Sequence, residues 1–303
     1  MKARDLFDLL ILAAVWGASF LFLRIATPAV GPLGVAAVRV AGGALMLMPL
    51  VALGGEGAAL RRHAPQLVGA ALLSSILPFM GLSQASRSLP AGLLSILNAT
   101  TPMWGALVGW LWAREKLAPV RALGLALGFA GVALLAADSS QLQAPGALGA
   151  VALALGSTLM YAFAVHYNKR YLADLSPLAN SAGTLAMASA LLLGPALWIG
   201  PQPTVGLSEA AQGWLDIPGT AWQALLALTV LCTGLAYLIF YRLIERIGPS
   251  RALTVTFLIP VFGMLWGALF LDENVTMLML LSTAIVLLGT WLSNHTPAPG
   301  KSA

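Results

Sequence analysis

Charge is the scarcest commodity in this chain. Only 9% of its 303 residues are Asp, Glu, Lys or Arg, against 59% hydrophobic. A water-soluble domain carries about 25% charged residues, so water is excluded as the main solvent. There is one cysteine, Cys232, so no intrachain disulfide can form, and its simplest role is that of a small packing residue. Histidines number three: His63 in a loop, His295 near the tail, and His166 beside Lys169 and Arg170 at a span end. That leaves neither a metal site nor a Ser-His-Asp hydrolase with support. All eleven acids lie in loops or near span ends, so no carboxylate is placed at mid-membrane as a proton relay. The G-x-x-x-x-G-K-[ST] phosphate loop is missing too, so ATP is not the direct energy source.

What is there is apolar and long. Ten stretches of the length that a ~30 Å hydrocarbon core demands cover approximately 6–27, 33–53, 66–86, 90–112, 119–137, 146–166, 178–199, 219–241, 249–271 and 276–294. Their length favours helices over the short alternating strands of a barrel. The first stretch is too long for a removable signal peptide and lacks a small-residue cleavage site, so it reads as an uncleaved anchor. With the N-terminus placed in the cytoplasm, thirteen of the sixteen Lys and Arg fall on the inner side. Only Arg24, Arg39 and Arg87 remain outside. The net charge of +5 therefore reflects topology and anionic headgroups, and nucleic-acid binding has no support. Arg39, about a turn and a half into the second stretch, reads as snorkelling to outer headgroups, with a gate pair or substrate-carboxylate contact as the alternative. A short interfacial helix is expected around Ser208 to Trp214, and the Pro- and Gly-rich tail, 295–303, is expected to be disordered.

The chain repeats itself. Pro102, Gly105, Gly109, Glu115 and Gly131 recur as Pro260, Gly263, Gly267, Glu273 and Gly289, each pair 158 residues apart. Upstream the offset is 145, so Pro32 and Leu33 fall on Pro177 and Leu178, and Trp16 on Tyr161. A longer loop, Gly200 to Pro218, explains the change. The units span 1–138 and 146–294. Five crossings per unit, an odd number, force the copies into opposite orientations, the arrangement of alternating-access carriers. The expectation is an all-α membrane protein with ten transmembrane helices, two inverted five-helix repeats around a central cavity.

Site residues follow from groups that lipid would not tolerate. Pro102 and Pro260 stand mid-span, and a helical proline frees the carbonyl four residues earlier, here that of Asn98 and of Thr256. Beside each proline a G-x-x-x-G (Gly105 and Gly109; Gly263 and Gly267) reads as a close helix contact. A third, Gly124 and Gly128, reads first as intrachain packing and second as a dimer face. Aromatics inside spans (Trp16, Phe79, Trp104, Tyr161, Tyr237) and small hydroxyls (Ser19, Ser157, Thr233) complete the candidate substrate-binding set with Asn98, Pro102, Thr256 and Pro260. Trp110, Trp112, Trp198, Trp222 and Trp291 read as interface anchors. No catalytic residue, metal ligand or cofactor is called for. The partners expected are a small-molecule substrate and the bilayer, with the protein a monomer or homodimer.

Several blocks resemble the drug/metabolite transporter (DMT) superfamily, specifically its EamA-type ten-helix exporters. They are Trp16-Gly17-Ala18-Ser19-Phe20, Arg39, Leu97 to Pro102 with Glu115-Lys116, Phe257 to Gly263 with Asp272-Glu273, and the Gly-rich Gly124 to Leu135. Tyr161-Ala162 departs from its counterpart Trp16-Gly17. The resemblance implies a bacterial inner-membrane carrier exporting small metabolites, often amino acids, with the YddG-like amino-acid exporters as a subgroup. It also implies a cavity formed by helices one, three, four, six, eight and nine, with five and ten as scaffold. A nucleotide-sugar or lipid-linked-sugar carrier is the alternative; such anionic cargo would want intramembrane basic residues, and only Arg39 and Arg24 are available. An intramembrane enzyme would need clustered catalytic residues, and none are visible.

Overall fold

The structure is a computed structural model that describes residues 2–112, 114, 117–137, 145–204 and 213–294. Those residues are helical, without a strand. The long helices are α1 (Ala3–Leu53), α2 (Ala64–Ala85), α3 (Ala91–Leu111), α4 (Pro119–Ala136), α5 (Ala147–Tyr171), α6 (Pro177–Ile199), α7 (Gly219–Ile247), α8 (Val255–Leu271) and α9 (Met277–Asn294). All but α8 are long and apolar enough to cross a membrane, and α8 is a shorter apolar helix of 17 residues.

Proline and hydroxyl caps set the helix starts. Pro119 and Pro177 occupy the first turns of α4 and α6, where a missing N–H costs nothing. Ser176 Oγ accepts from Ala179 N at 3.1 Å, and Thr276 Oγ1 from Met279 N at 3.1 Å. The two stretches expected over 6–27 and 33–53 run on as one helix of 51 residues, broken at Gly31. Gly31 takes φ 82° and ψ 162°, open to glycine alone. The carbonyls left over at this corner are used: Gln202 N donates to Val30 O at 3.0 Å and Thr204 N to Pro28 O at 2.8 Å.

Two helices carry a π-type widening, Leu72–Ile76 in α2 and Val230–Leu235 in α7. Their starts are 158 residues apart, the repeat offset, and they place Ser75 and Thr233 alike. α4 and α9 pack face to face through glycines. A Cβ at Gly289 would strike the Gly128 backbone, and one at Gly131 would press on Val286 at 3.0 Å. The Gly124 and Gly128 stripe is thus filled by α9, and a Cβ at Gly124 would meet the Ser293 backbone. Trp110, Trp112, Trp198 and Trp291 are exposed on the rim, with many leucines between them.

Three regions differ from expectation or lie beyond what is described. The ninth stretch opens with a separate turn, Pro249–Ala252, before α8. Trp214–Asp216 forms one 3-10 turn, while the rest of the expected interfacial helix from Ser208 lies outside the described residues. Glu115, Lys116 and the 295–303 tail are outside them as well.

Candidate functional site

The bundle encloses a cavity of about 750 Å³. Its lining starts at Leu23, Arg39, Phe79 and Leu82 and runs to Arg121, Asn168, Pro177, Ile244, Leu253 and Asn294. The latter group stands at the basic end of the helices, near Lys169, Arg170, Arg242, Arg246 and Arg251. None of the lining comes from Ala91–Leu97 or Met264–Leu271, the opposite end of α3 and α8.

That opposite end is closed by specific contacts. The partly buried Glu273 carboxylate accepts from Ala91 N at 2.8 Å and Gly92 N at 3.2 Å, capping α3 from the loop that follows α8. Arg24 Nε lies 3.5 Å from the same carboxylate, and its Nη1 donates to Ser86 O at 2.9 Å. Ser86 in turn donates to Thr27 Oγ1 at 3.1 Å. Arg87 donates to the Gln202 carbonyl, and its partial burial pulls its pKa below the ordinary arginine value. Below this cluster α3 meets α8: a Cβ at Gly263 would land on the Ser95 side chain, and one at Gly267 would reach Ala91 Cβ at 3.6 Å.

Of the residues singled out from sequence, Trp16, Ser19, Phe79, Asn98, Pro102, Tyr161, Tyr237 and Thr256 line the cavity. The other four do not. Trp104 turns away to stack edge-on against Phe129 of α4, with centroids 4.8 Å apart. Ser157 donates to Leu153 O at 2.9 Å within its own helix, and it fills the space that a Cβ at Gly81 would take. Pro260 is buried where α8 meets α3, its carbonyl 3.5 Å from Ser95 Oγ. Thr233 lies behind the wall and touches the cavity only through Arg39.

The expected freed carbonyl of Asn98 is also corrected. α3 is interrupted at Ala99 and Thr100, so Pro102 stands in the first turn of a new helical segment, Thr101–Leu111, not inside a kink. Hydroxyls satisfy the break: Thr100 Oγ1 donates to Leu97 O (2.7 Å), Thr101 Oγ1 to Asn98 O (2.8 Å) and Thr290 Oγ1 to Ala99 O (3.1 Å). Asn98 lines the cavity, and its carbonyl is already taken by Thr101 Oγ1. Thr256 Oγ1 donates to Leu253 O at 2.8 Å, the local bond that competes with ligand binding. Pro260 does sit inside a continuous helix.

Gly105 departs from the expected close contact: no heavy atom lies within 4 Å of where its Cβ would stand, because it faces the cavity. Arg39 does not snorkel. It turns inward, its guanidinium 4.0 Å over the Phe79 ring and its Nε donating to Thr233 Oγ1 at 3.0 Å. The sequence reading missed Tyr241, Asn168, Asn180 and Ser181 in the lining. Tyr241 follows Tyr237 by four residues and Asn168 follows Tyr161 by seven, so helical stripe arithmetic alone would have reached both. Asn180 and Ser181 carry no such signal, since their repeat positions, Val35 and Ala36, are apolar.

Among the described residues no group of three His, Cys, Asp or Glu is disposed to hold a metal. The lining is aromatic and amide-bearing, with Arg39, Arg121 and His166 and, among the described residues, no acid. It is suited to enclosing an organic molecule.

Comparison with known proteins agrees in kind. The sequence pattern of the EamA-like transporter family fits residues 6–137 and again 148–295. An uncharacterised transporter, YvbV, of Bacillus subtilis (strain 168) is 29% identical, over 100% of this chain and 95% of its own length. A probable amino-acid metabolite efflux pump of Escherichia coli (strain K12) is 26% identical, over 97% and 95%. A crystal structure of a protein 18% identical in sequence superposes with a TM-score of 0.61 over 97% of both chains, a likeness of fold alone.

Proposed function

We propose that this chain, which belongs to the EamA-like transporter family, is a secondary transporter that exports small organic metabolites by alternating access. The relative named for amino-acid metabolite efflux makes amino acids and their derivatives the first cargo to consider. The observation that carries the reading is the state of the α3–α8 contact. It is closed at Ser95 and Gly263 and open at the repeat-equivalent pair, Leu253 and Gly105. Ser95 is fully buried, whereas Leu253 is 51% exposed. A carrier caught facing one side has one contact made and its counterpart unmade.

Topology supports the same reading. At 1.5 Å per residue α1 is about 75 Å long, more than twice a ~30 Å core, so its break at Gly31 marks two crossings. With α2 to α9 that gives ten, five in each unit (1–138 and 146–294), with the units inverted. The excess of Lys and Arg puts the basic end, and both termini, in the cytoplasm of the bacterial inner membrane. The cavity then faces the cytoplasm, where an exporter loads. Asn98 and Thr256 are placed to hydrogen-bond the cargo, and Trp16, Tyr161 and Tyr237 to shape the pocket around it.

The test is counterflow in proteoliposomes with labelled phenylalanine and its deaminated acid as probes. Counterflow that Asn98→Ala abolishes while the protein still folds supports a carrier. Flux that rises strongly with an imposed pH gradient at saturating probe counts against downhill export, since no mid-span carboxylate is present to carry the proton.

A further inference from the structure

We infer that the cavity takes a net-anionic organic solute, a monocarboxylate with an apolar body, and that Arg39 holds its head. This deepens the transporter reading and rests on it for the word solute, but the binding claim stands on its own geometry.

Arg39 lines the cavity beside Phe79, away from the lining residues at the basic end. Its Nε is occupied by Thr233 and one face of its guanidinium by Phe79. The acids that form ion pairs among the described residues are committed elsewhere: Asp5 and Asp8 to Arg246, and Glu273 to Arg24. Among the described residues no carboxylate lies within ion-pair distance of Arg39, and its two terminal nitrogens make no hydrogen bond. The guanidinium is partly buried against an aromatic wall, and a cation in such a site without a counter-charge is costly. A ligand carboxylate accepting from both terminal nitrogens would relieve that cost with the fork geometry that arginine favours.

The mount is built for this. Thr233 lies in the π-type widening, where its Oγ1 donates to Leu228 O at 3.1 Å. The hydroxyl hydrogen is thereby spent, so a lone pair is presented to Arg39. The guanidinium is held by its Nε and one face, with the terminal nitrogens left for a ligand. Tyr161 and Tyr237 line the same space, and neither hydroxyl has a hydrogen-bond partner among the described residues.

The rest of the lining decides against a zwitterion. Among the described residues it contains no Asp or Glu, so a ligand ammonium would find no counter-charge there and would feel Arg39 instead. The aromatic lining suits an apolar body. The repeat-equivalent of Arg39 is Thr184, so the second unit supplies no matching arginine; the other arginine of the lining, Arg121, stands at the basic end.

The test uses three probes with the same ring and different charge: 3-phenylpropionate, phenylalanine and phenethylamine. Their binding to the full chain in lipid nanodiscs is measured by calorimetry at pH 7. The expected order is anion, then zwitterion, then cation, with the first step about tenfold, the scale of a charge-assisted pair. Arg39→Gln should weaken 3-phenylpropionate about tenfold and flatten the series, and Arg39→Lys should recover part of the preference. Thr233→Val, which keeps the charge but removes its mount, should fall between. If an Arg39 variant does not fold, the wild-type charge series still decides. Phenylalanine binding as tightly as the anion, no binding of the anion at millimolar concentration, or an unchanged preference in folded Arg39→Gln would overturn the inference. Anion-selective binding without counterflow would instead overturn the transporter reading and leave this one intact.

Discussion

The two ends of the α3–α8 pair differ although the sequence makes them equivalents. At the end away from the basic residues, Gly263 admits Ser95, Gly267 admits Ala91, and Glu273 joins the start of α3 to Arg24. At the basic end, Gly105 faces empty space and Leu253 stands half out of the fold. The difference is not one of composition, since glycine occupies 105 as it does 263. His166 Nε2 lies 3.1 Å from the Gly105 carbonyl, but nothing occupies the space a Cβ would take, and a glycine in a helix without a packing reason on that face costs about 1 kcal/mol relative to alanine. The economical explanation is that Gly105 is packed in a second state, in which the outer contacts have come apart.

The largest effect is expected from blocking that second state. Gly105→Leu fills space that is vacant here, so thermal stability should hold or rise slightly. In the alternative packing the added side chain would cost on the order of 1–3 kcal/mol, enough to cut counterflow about ten- to a hundred-fold. Substrate binding to the cytoplasm-facing form should survive. A loss of folding in this variant would show that Gly105 is already packed.

Glu273→Gln comes next. It leaves Arg24 partly buried without its counter-charge and weakens two amide contacts. With Arg24 about a third exposed, screening trims the loss to about 1–2 kcal/mol. The balance should move toward outward opening by about tenfold, read as faster labelling of a cysteine placed at Ser95 in a Cys232→Ser background. Unchanged labelling would mean that Glu273 caps α3 without gating anything.

A smaller effect separates frame from gate. Gly31→Ala forces a side chain into φ 82° and against Gln202, at about 1–3 kcal/mol. The melting temperature should fall by a few degrees while the charge preference of the cavity stays put. Least is expected of Thr101→Val. It removes the hydroxyl on the Asn98 carbonyl at a break where Thr100 and Thr290 still serve, so about 1 kcal/mol of stability is lost. A much larger loss would make the α3 break, rather than the α3–α8 contact, the weak point of the fold.

Much of the frame could be read from the chain. The 158-residue offset that pairs Pro102 with Pro260 also pairs the two π-type widenings, and the Gly124 and Gly128 stripe, read first as intrachain packing, packs within the chain against α9, a partner the sequence does not name. What could not be read was whatever breaks the repeat's symmetry. A duplicated sequence assigns Gly105 and Gly263 the same environment, yet any one conformation must treat them differently. Arg39 was misjudged for a related reason. Its partners, Thr233 and Phe79, come from α7 and α2, and helical periodicity within one span says nothing about which neighbour a long side chain will find. The freed carbonyl expected at Asn98 is taken by Thr101 Oγ1, since the proline argument assumes an unbroken helix and α3 breaks at Ala99 and Thr100, where three threonine hydroxyls cap carbonyls.

Alternating access itself is tested most directly by two cysteine pairs in a Cys232→Ser background, one at Ser95 and Gly263 and one at Leu253 and Gly105. The outer pair should cross-link at once without substrate. The inner pair should cross-link only slowly, during turnover, and only in molecules whose outer pair is open. Both bridges forming together in the same resting molecules, or an inner pair that never closes under turnover, would contradict it.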